Sequence, residues 1–106
     1  MKVLIDECID ERLRYEFPDH DCQTARHAKR AGLKNGKLLS AAESAGFDLI
    51  ITVDREIPYQ QNMEAYRIGV LIPCAATNRL RDLRKLIPAA HAILDVIRPG
   101  EVLKVP

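Results

Sequence analysis

Four carboxylates recur in two short patterns. Asp6-Glu7 directly follows Val3-Leu4-Ile5, and Asp54 and Glu56 follow Leu49-Ile50-Ile51-Thr52-Val53. Each apolar run has the look of a buried strand, so the acids fall where the strands end. In an open α/β sheet ligands bind at the carboxyl ends of the strands. If these two strands are neighbours, the acids meet at one edge, where crowding like charges is unfavourable unless a cation neutralises them. Magnesium and manganese suit such a place, because they take oxygen ligands and keep waters and substrate phosphates beside one or two carboxylates. Ions of this kind activate water and stabilise the charge that builds up in phosphodiester cleavage. A single acid at a strand end has a plainer explanation, since Asp starts turns. Two such ends, each with a companion acid, favour a site. No Ser-His-Asp set, glycine-rich phosphate loop or paired Cys/His motif competes.

The elements that must carry these residues alternate. After the first strand, Ile9, Leu13 and Phe17 recur at helical spacing with Asp10 as N-cap, and Pro18 closes the segment. Asp19-His20-Asp21 is a turn rather than a ligand cluster, and Cys22 to Ala25 is a short edge strand. Leu38 to Ala45 consists of good helix formers, with Gly46 where a C′ glycine belongs. Phe47 to Val53 is the second main strand, on which Thr52 and Asp54 share a face. Residues 55–67 form a loop with at most a short helix, punctuated by Pro58. Its Tyr59 and Tyr66 suit either base stacking or a helix–sheet seam. Ile68 to Ile72 is a strand. Thr77 and Asn78 offer N-caps for a helix striped by Leu80, Leu83, Leu86 and Ile87, which Pro88 breaks or restarts. Ala89 to Ile97 continues, with His91 as a packed core side chain rather than a base. Val102 to Val105 is the last strand. Helices between strands argue an α/β layer fold with a mostly parallel sheet of four to five strands. Right-handed crossovers put strand one centrally, so that Asp6 and Asp54 flank the point where winding reverses.

The 106 residues make one domain, and 47% hydrophobic content excludes a disordered chain. Net charge of +1 gives no global signal for nucleic acid. Local clustering does: from Cys22 through Ala42 there is no acid, while Arg26, Lys29, Arg30, Lys34 and Lys37 accumulate. That run is either a solvated loop or a patch that steers phosphates toward the acids. Cys8, Cys22 and Cys74 fit neither a disulfide framework nor a zinc site, so buried, reduced thiols are expected. Asp6 and Glu7 interrupt any leader-like apolar run, and no stretch approaches a membrane span. A cytoplasmic protein without membrane contact is the expectation.

The opening Lys2-Val3-Leu4-Ile5-Asp6-Glu7 and the later Ile51-Thr52-Val53-Asp54-Arg55-Glu56-Ile57 resemble the small bacterial PIN-like domains. The resemblance spans nearly the whole chain, 1–106. It implies a PIN-like three-layer sandwich with helices on both faces of the sheet. It also implies a metal-dependent nuclease, most directly a ribonuclease, of the kind found as toxins of toxin–antitoxin pairs. Asp6 and Asp54 would be ligands of Mg2+ or Mn2+, with Glu7 and Glu56 as further catalytic acids and Thr52 in support. The family's late motif, Thr-x-Asp-x-Asp-Phe, reads here as Thr52, Asp54, Glu56 and Ile57. Where relatives carry an acid at the start of the middle helix, this chain has Asn35-Gly36-Lys37. Asn35 supplies a carbonyl oxygen without charge. RNA or another nucleic acid is the expected partner, with an antitoxin protein and a second copy of the chain as further candidates.

Two other classes compete. A catalytically degenerate relative would act by binding protein or RNA, and Asn35 and Lys37 favour it. A receiver-like phosphoacceptor would use Asp6, Glu7 and Asp54 around magnesium, with Thr77 after strand four. It lacks the lysine and proline expected after the last strand, since Lys104 falls too near the chain's last residue.

Overall fold

A computed structural model describes residues 1–28, 32–33, 35–57 and 62–106, with only the backbone of Asn35. Five strands make one sheet: β1 (Lys2–Ile5), β2 (Asp21–Thr24), β3 (Leu49–Ile51), β4 (Gly69–Pro73) and β5 (Val102–Val105). Their order is β2-β1-β3-β4-β5 and every pairing is parallel. Strand β1 lies inside the sheet between β2 and β3, as the crossover rule requires, although β3 is the middle strand of the five. The chain winds outward from β1 to β2, then returns past β1 to β3. The winding therefore reverses between β1 and β3, which pair Val3 with Leu49 and Ile5 with Ile51.

Alternation along the strands builds two cores. Val3, Ile5, Leu49, Ile51 and Leu71 face a cluster with Ile9, Leu13 and Phe17 and with helices α2 (Leu80–Arg84) and α3 (Ile87–Leu94). Leu4, Ile50, Val70 and Ile72 face the opposite way, onto Leu38, Leu39 and Ala42 of α1 (Asn35–Ser44). The strand interiors are hydrophobic on both faces because both are covered, as parallel sheets require. This is an α/β fold with helical layers on either side of the sheet.

Local chemistry accounts for several boundaries. The segment after β1 is a 3-10 helix over Glu11–Glu16 in which Asp10 accepts from the backbone of Arg12, so Ile9, Leu13 and Phe17 bury one face. The helical reading of this segment holds, in a tighter form. Gly46 adopts φ +85°, the left-handed C′ position that ends α1. Pro88 sits in the first turn of α3, where a missing N–H costs nothing, and so restarts the helix after α2. The 3-10 turn Met63–Ala65 is the short helix of the long loop. Pro58 and Tyr59 lie outside the described residues.

Three expectations are corrected. Strand β3 is only Leu49–Ile51, shorter than Phe47 to Val53, because Phe47 turns into the α1 core and the backbone leaves the ladder after Thr52 donates to the Leu71 carbonyl. Thr77 and Asn78 do not cap α2. Arg79 holds that position without a side-chain cap, while the Asn78 amide goes to the Cys8 carbonyl. Of the three free thiols expected to be buried, Cys8 is exposed, while Cys22 and Cys74 are half-buried and pack against the two cores. His91 does pack: its Nε2 meets the Glu16 carbonyl at 2.8 Å and its ring lies 5.0 Å from that of Phe17. Among the described residues no helix is long and apolar enough to cross a membrane.

Candidate functional site

The last ladder bond of β1 runs from Asp6 N–H to the Ile51 carbonyl, 2.9 Å, and so fixes Asp6 at the seam with β3. One register step on, Thr52 is fully buried. Its hydroxyl donates to Oδ2 of Asp6 at 2.7 Å and accepts from the Asp54 backbone N–H at 3.1 Å. A single side chain thus orients the first acid and shapes the turn that presents the second. Oδ1 of Asp6 accepts from the Glu7 N–H at 2.8 Å, and Oδ1 of Asp54 accepts from the Glu56 N–H at 2.9 Å. Among the described residues no donor reaches Oδ2 of Asp54.

Asp6, Glu7 and Asp54 line one cleft of about 280 Å³, with Cys8 beside them and Leu33, Leu38 and Ile57 as its apolar wall. A second cleft on the β2 side, lined by Asp6, Glu7, Glu11, Thr24 and Arg26, shares the first acid pair. Glu7 also ties down the connection to α1, accepting from the Gly32 N–H at 3.1 Å. Glu56 is exposed and does not line either cleft; its contribution to the geometry is the backbone bond to Asp54. Of the basic run, Arg26 and Lys37 are exposed, Arg26 directly beside the acids. Lys29, Arg30 and Lys34 lie outside the described residues. Asn35 opens α1, and its side chain is likewise outside them.

Two residues at the site escape a reading by motif. The Cys8 thiol lies 3.5 Å from Oδ2 of Asp6. Partial burial of the sulfur raises its pKa, the Val53 backbone N–H works against that, and the charge of Asp6 adds to it. The Asn78 amide, 3.1 Å from the Cys8 carbonyl, ties the loop after β4 to the loop after β1 across 70 positions. Cys8 adjoins the acid pair in sequence and was the more visible of the two. Asn78 is hidden because an Asn before a helix reads as a cap.

Comparison with protein-family models, with curated proteins and with solved structures finds no match to this chain. What the site can do follows from its donors. Among the described residues no three His, Cys, Asp or Glu side chains converge closely enough to enclose an ion. A closed zinc-type cage is therefore not what these residues make. An ion held here would rest on the lone pairs left on Asp6 Oδ1 and Asp54 Oδ2 and would have to take the rest of its shell from water or a ligand.

Proposed function

We propose that this chain is a divalent-metal-dependent nuclease of PIN-like type that hydrolyses phosphodiester bonds, most directly in RNA. One observation carries the reading: Asp6 and Asp54, from adjacent parallel strands at the reversal of winding, line one solvent-open cleft and share Thr52 as their hydrogen-bonded hinge. Asp6 and Asp54 would hold Mg2+ or Mn2+. Bound there, the ion would supply Lewis-acid charge and an acidified water. The chain's own residues do the rest. Thr52 holds Asp6 in one rotamer, the Glu56 N–H holds Asp54, and Glu7 stands beside them as an exposed carboxylate able to accept a proton from an attacking water. Arg26, at the rim of the adjoining cleft, offers a guanidinium to a neighbouring phosphate. Lys37, Lys29, Arg30 and Lys34 would extend that attraction along the substrate. In this reading the protein acts in the cytoplasm, and an antitoxin that covers the cleft would silence it.

A second reading has its own support. Asn35 and Lys37, standing where relatives of PIN-like type carry an acid, suit a fold that binds RNA or a partner without cutting. Manganese titration of the wild type and Asp6→Asn, read beside cleavage of single-stranded RNA, separates the two. The nuclease shows a saturable manganese site and divalent-dependent cleavage, both lost in a folded Asp6→Asn. Full activity in that variant defeats the assignment. The strand order is also that of receiver domains, and labelling of Asp54 by acetyl phosphate would mark that case.

A further inference from the structure

Beyond Asp54, on the side away from Arg26, a cleft of about 290 Å³ opens between the carboxyl ends of β3 and β4. Arg55, Asn78 and Thr77, whose hydroxyl donates to the Asp82 carboxylate, line it, and Val53, Pro73, Ala75 and Ala76 form small apolar walls. Unlike the two clefts at the acids, it is lined by no carboxylate among the described residues. Arg55 is exposed and takes no part in the ion pairs of the described residues, which join Arg12 to Asp10, Arg84 to Glu16 and Lys85 to Asp82. Asn78 is anchored by one amide N–H to the Cys8 carbonyl, so it is held between this cleft and the Asp6 loop with its other polar positions available.

Resting on the nuclease reading above, the geometry points to a nucleotide subsite here, next to the reacting phosphate. Arg55 would take the phosphate and the Val53–Pro73–Ala75–Ala76 wall the sugar or base. A guanidinium is a planar fork that matches a phosphate with two donors, and among the described residues no carboxylate lines the cleft to compete for it. The volume suits one nucleotide and not a duplex. The Asn78 tether makes occupancy of this cleft felt at the Asp6 loop, so the subsite is a positioning element for the neighbouring linkage.

The test is a metal-free NMR titration of the full chain in the Asp6→Asn background, where the nuclease reading expects no cleavage. The probes are a nucleoside 5′-monophosphate, the free nucleoside and inorganic phosphate. The monophosphate is expected to shift the Arg55 Nε–H and Asn78 side-chain amide signals saturably. Binding should be at least about tenfold tighter than either fragment and about tenfold weaker in Arg55→Gln, in line with loss of a charged hydrogen bond. Shifts that map elsewhere, or that Arg55→Gln leaves unchanged, overturn the subsite. Equal response to inorganic phosphate alone overturns its nucleotide character. These readouts involve no cleavage, so the nuclease reading fails separately, through an active Asp6→Asn.

Discussion

The hydroxyl of Thr52 donates a 2.7 Å hydrogen bond to Oδ2 of Asp6, joining the first residue past β1 to the first residue past β3. Because Thr52 is fully buried and also accepts from the Asp54 N–H, removing the oxygen takes a hydrogen-bond partner from the Asp6 carboxylate and from the Asp54 backbone at once. Thr52→Val keeps the shape and is expected to cost about 1–3 kcal/mol in urea unfolding. Manganese affinity should fall about 10–100-fold, as for other groups that orient a metal's carboxylate. Thr52→Ser should restore most of both. An unfolding midpoint and a manganese isotherm equal to wild type in Thr52→Val would remove Thr52 from the site.

Much of this arrangement is legible from the residues alone. Val3-Leu4-Ile5 and Leu49-Ile50-Ile51 announce buried strands because both faces of a parallel sheet are covered, and the acids then mark the carboxyl edge. Burial of Ile9, Leu13 and Phe17 follows from their spacing, although spacing does not distinguish a 3-10 turn from an α-helix of the same length. Partnerships between distant loops are not legible. Nothing local distinguishes Asn78 as the partner of the Cys8 carbonyl from Asn78 as a cap, because only the β1–β3–β4 adjacency brings position 8 near position 78. The same adjacency leaves the Cys8 side chain exposed at the cleft, where composition suggests a buried thiol.

The two-core architecture makes the middle strand the most sensitive to truncation. Ile50 is fully buried in the α1-facing core. Ile50→Ala is expected to cost about 2–5 kcal/mol from lost transfer energy plus the cavity left behind. Val96→Ala, on a side chain 67% exposed, should stay within about 0.5 kcal/mol. Equilibrium denaturation of the pair checks the contrast, and equal losses would contradict the assigned packing.

Gly46 isolates a backbone effect. A Cβ there would meet nothing within 4 Å, so space is not limiting, but its φ of +85° lies in the left-handed region. Gly46→Ala should therefore destabilise by about 1–2 kcal/mol through conformation alone. Gly46→Asn should cost less, since Asn tolerates that region. A neutral Gly46→Ala in thermal unfolding would show that α1 does not end there.

Acid titration probes the N-cap of the 3-10 helix. The side chain of Arg12 donates to Asp10, as does the Arg12 backbone N–H, and together they hold the Asp10 carboxyl down at about 2. Depression in the folded state means the charged form favours folding. Its contribution is present above the unfolded carboxylate value near 4 and is lost as pH falls toward 2. NMR titration of the Asp10 carboxyl should place its midpoint near 2 in the wild type and close to the ordinary value in Arg12→Ala. High salt should shrink the shift, since the Arg12 side chain is exposed to solvent.

The basic run gives the proposed substrate a salt signature. Each phosphate contact to a single strand contributes about −0.7 to the slope of log K against log salt. Arg26 stands beside the acids at the β2 cleft, so Arg26→Gln should flatten that slope by about one contact for a non-cleaved RNA strand. Neutralising Lys29, Arg30 and Lys34 together should flatten it by up to about three. A control in Arg12, which is paired with Asp10 and lines neither acidic cleft, should leave the slope unchanged. If the triple variant and Arg26→Gln both retain the wild-type slope, the run is a solvated loop, and the electrostatic attraction of the substrate must come from elsewhere on the carboxyl edge.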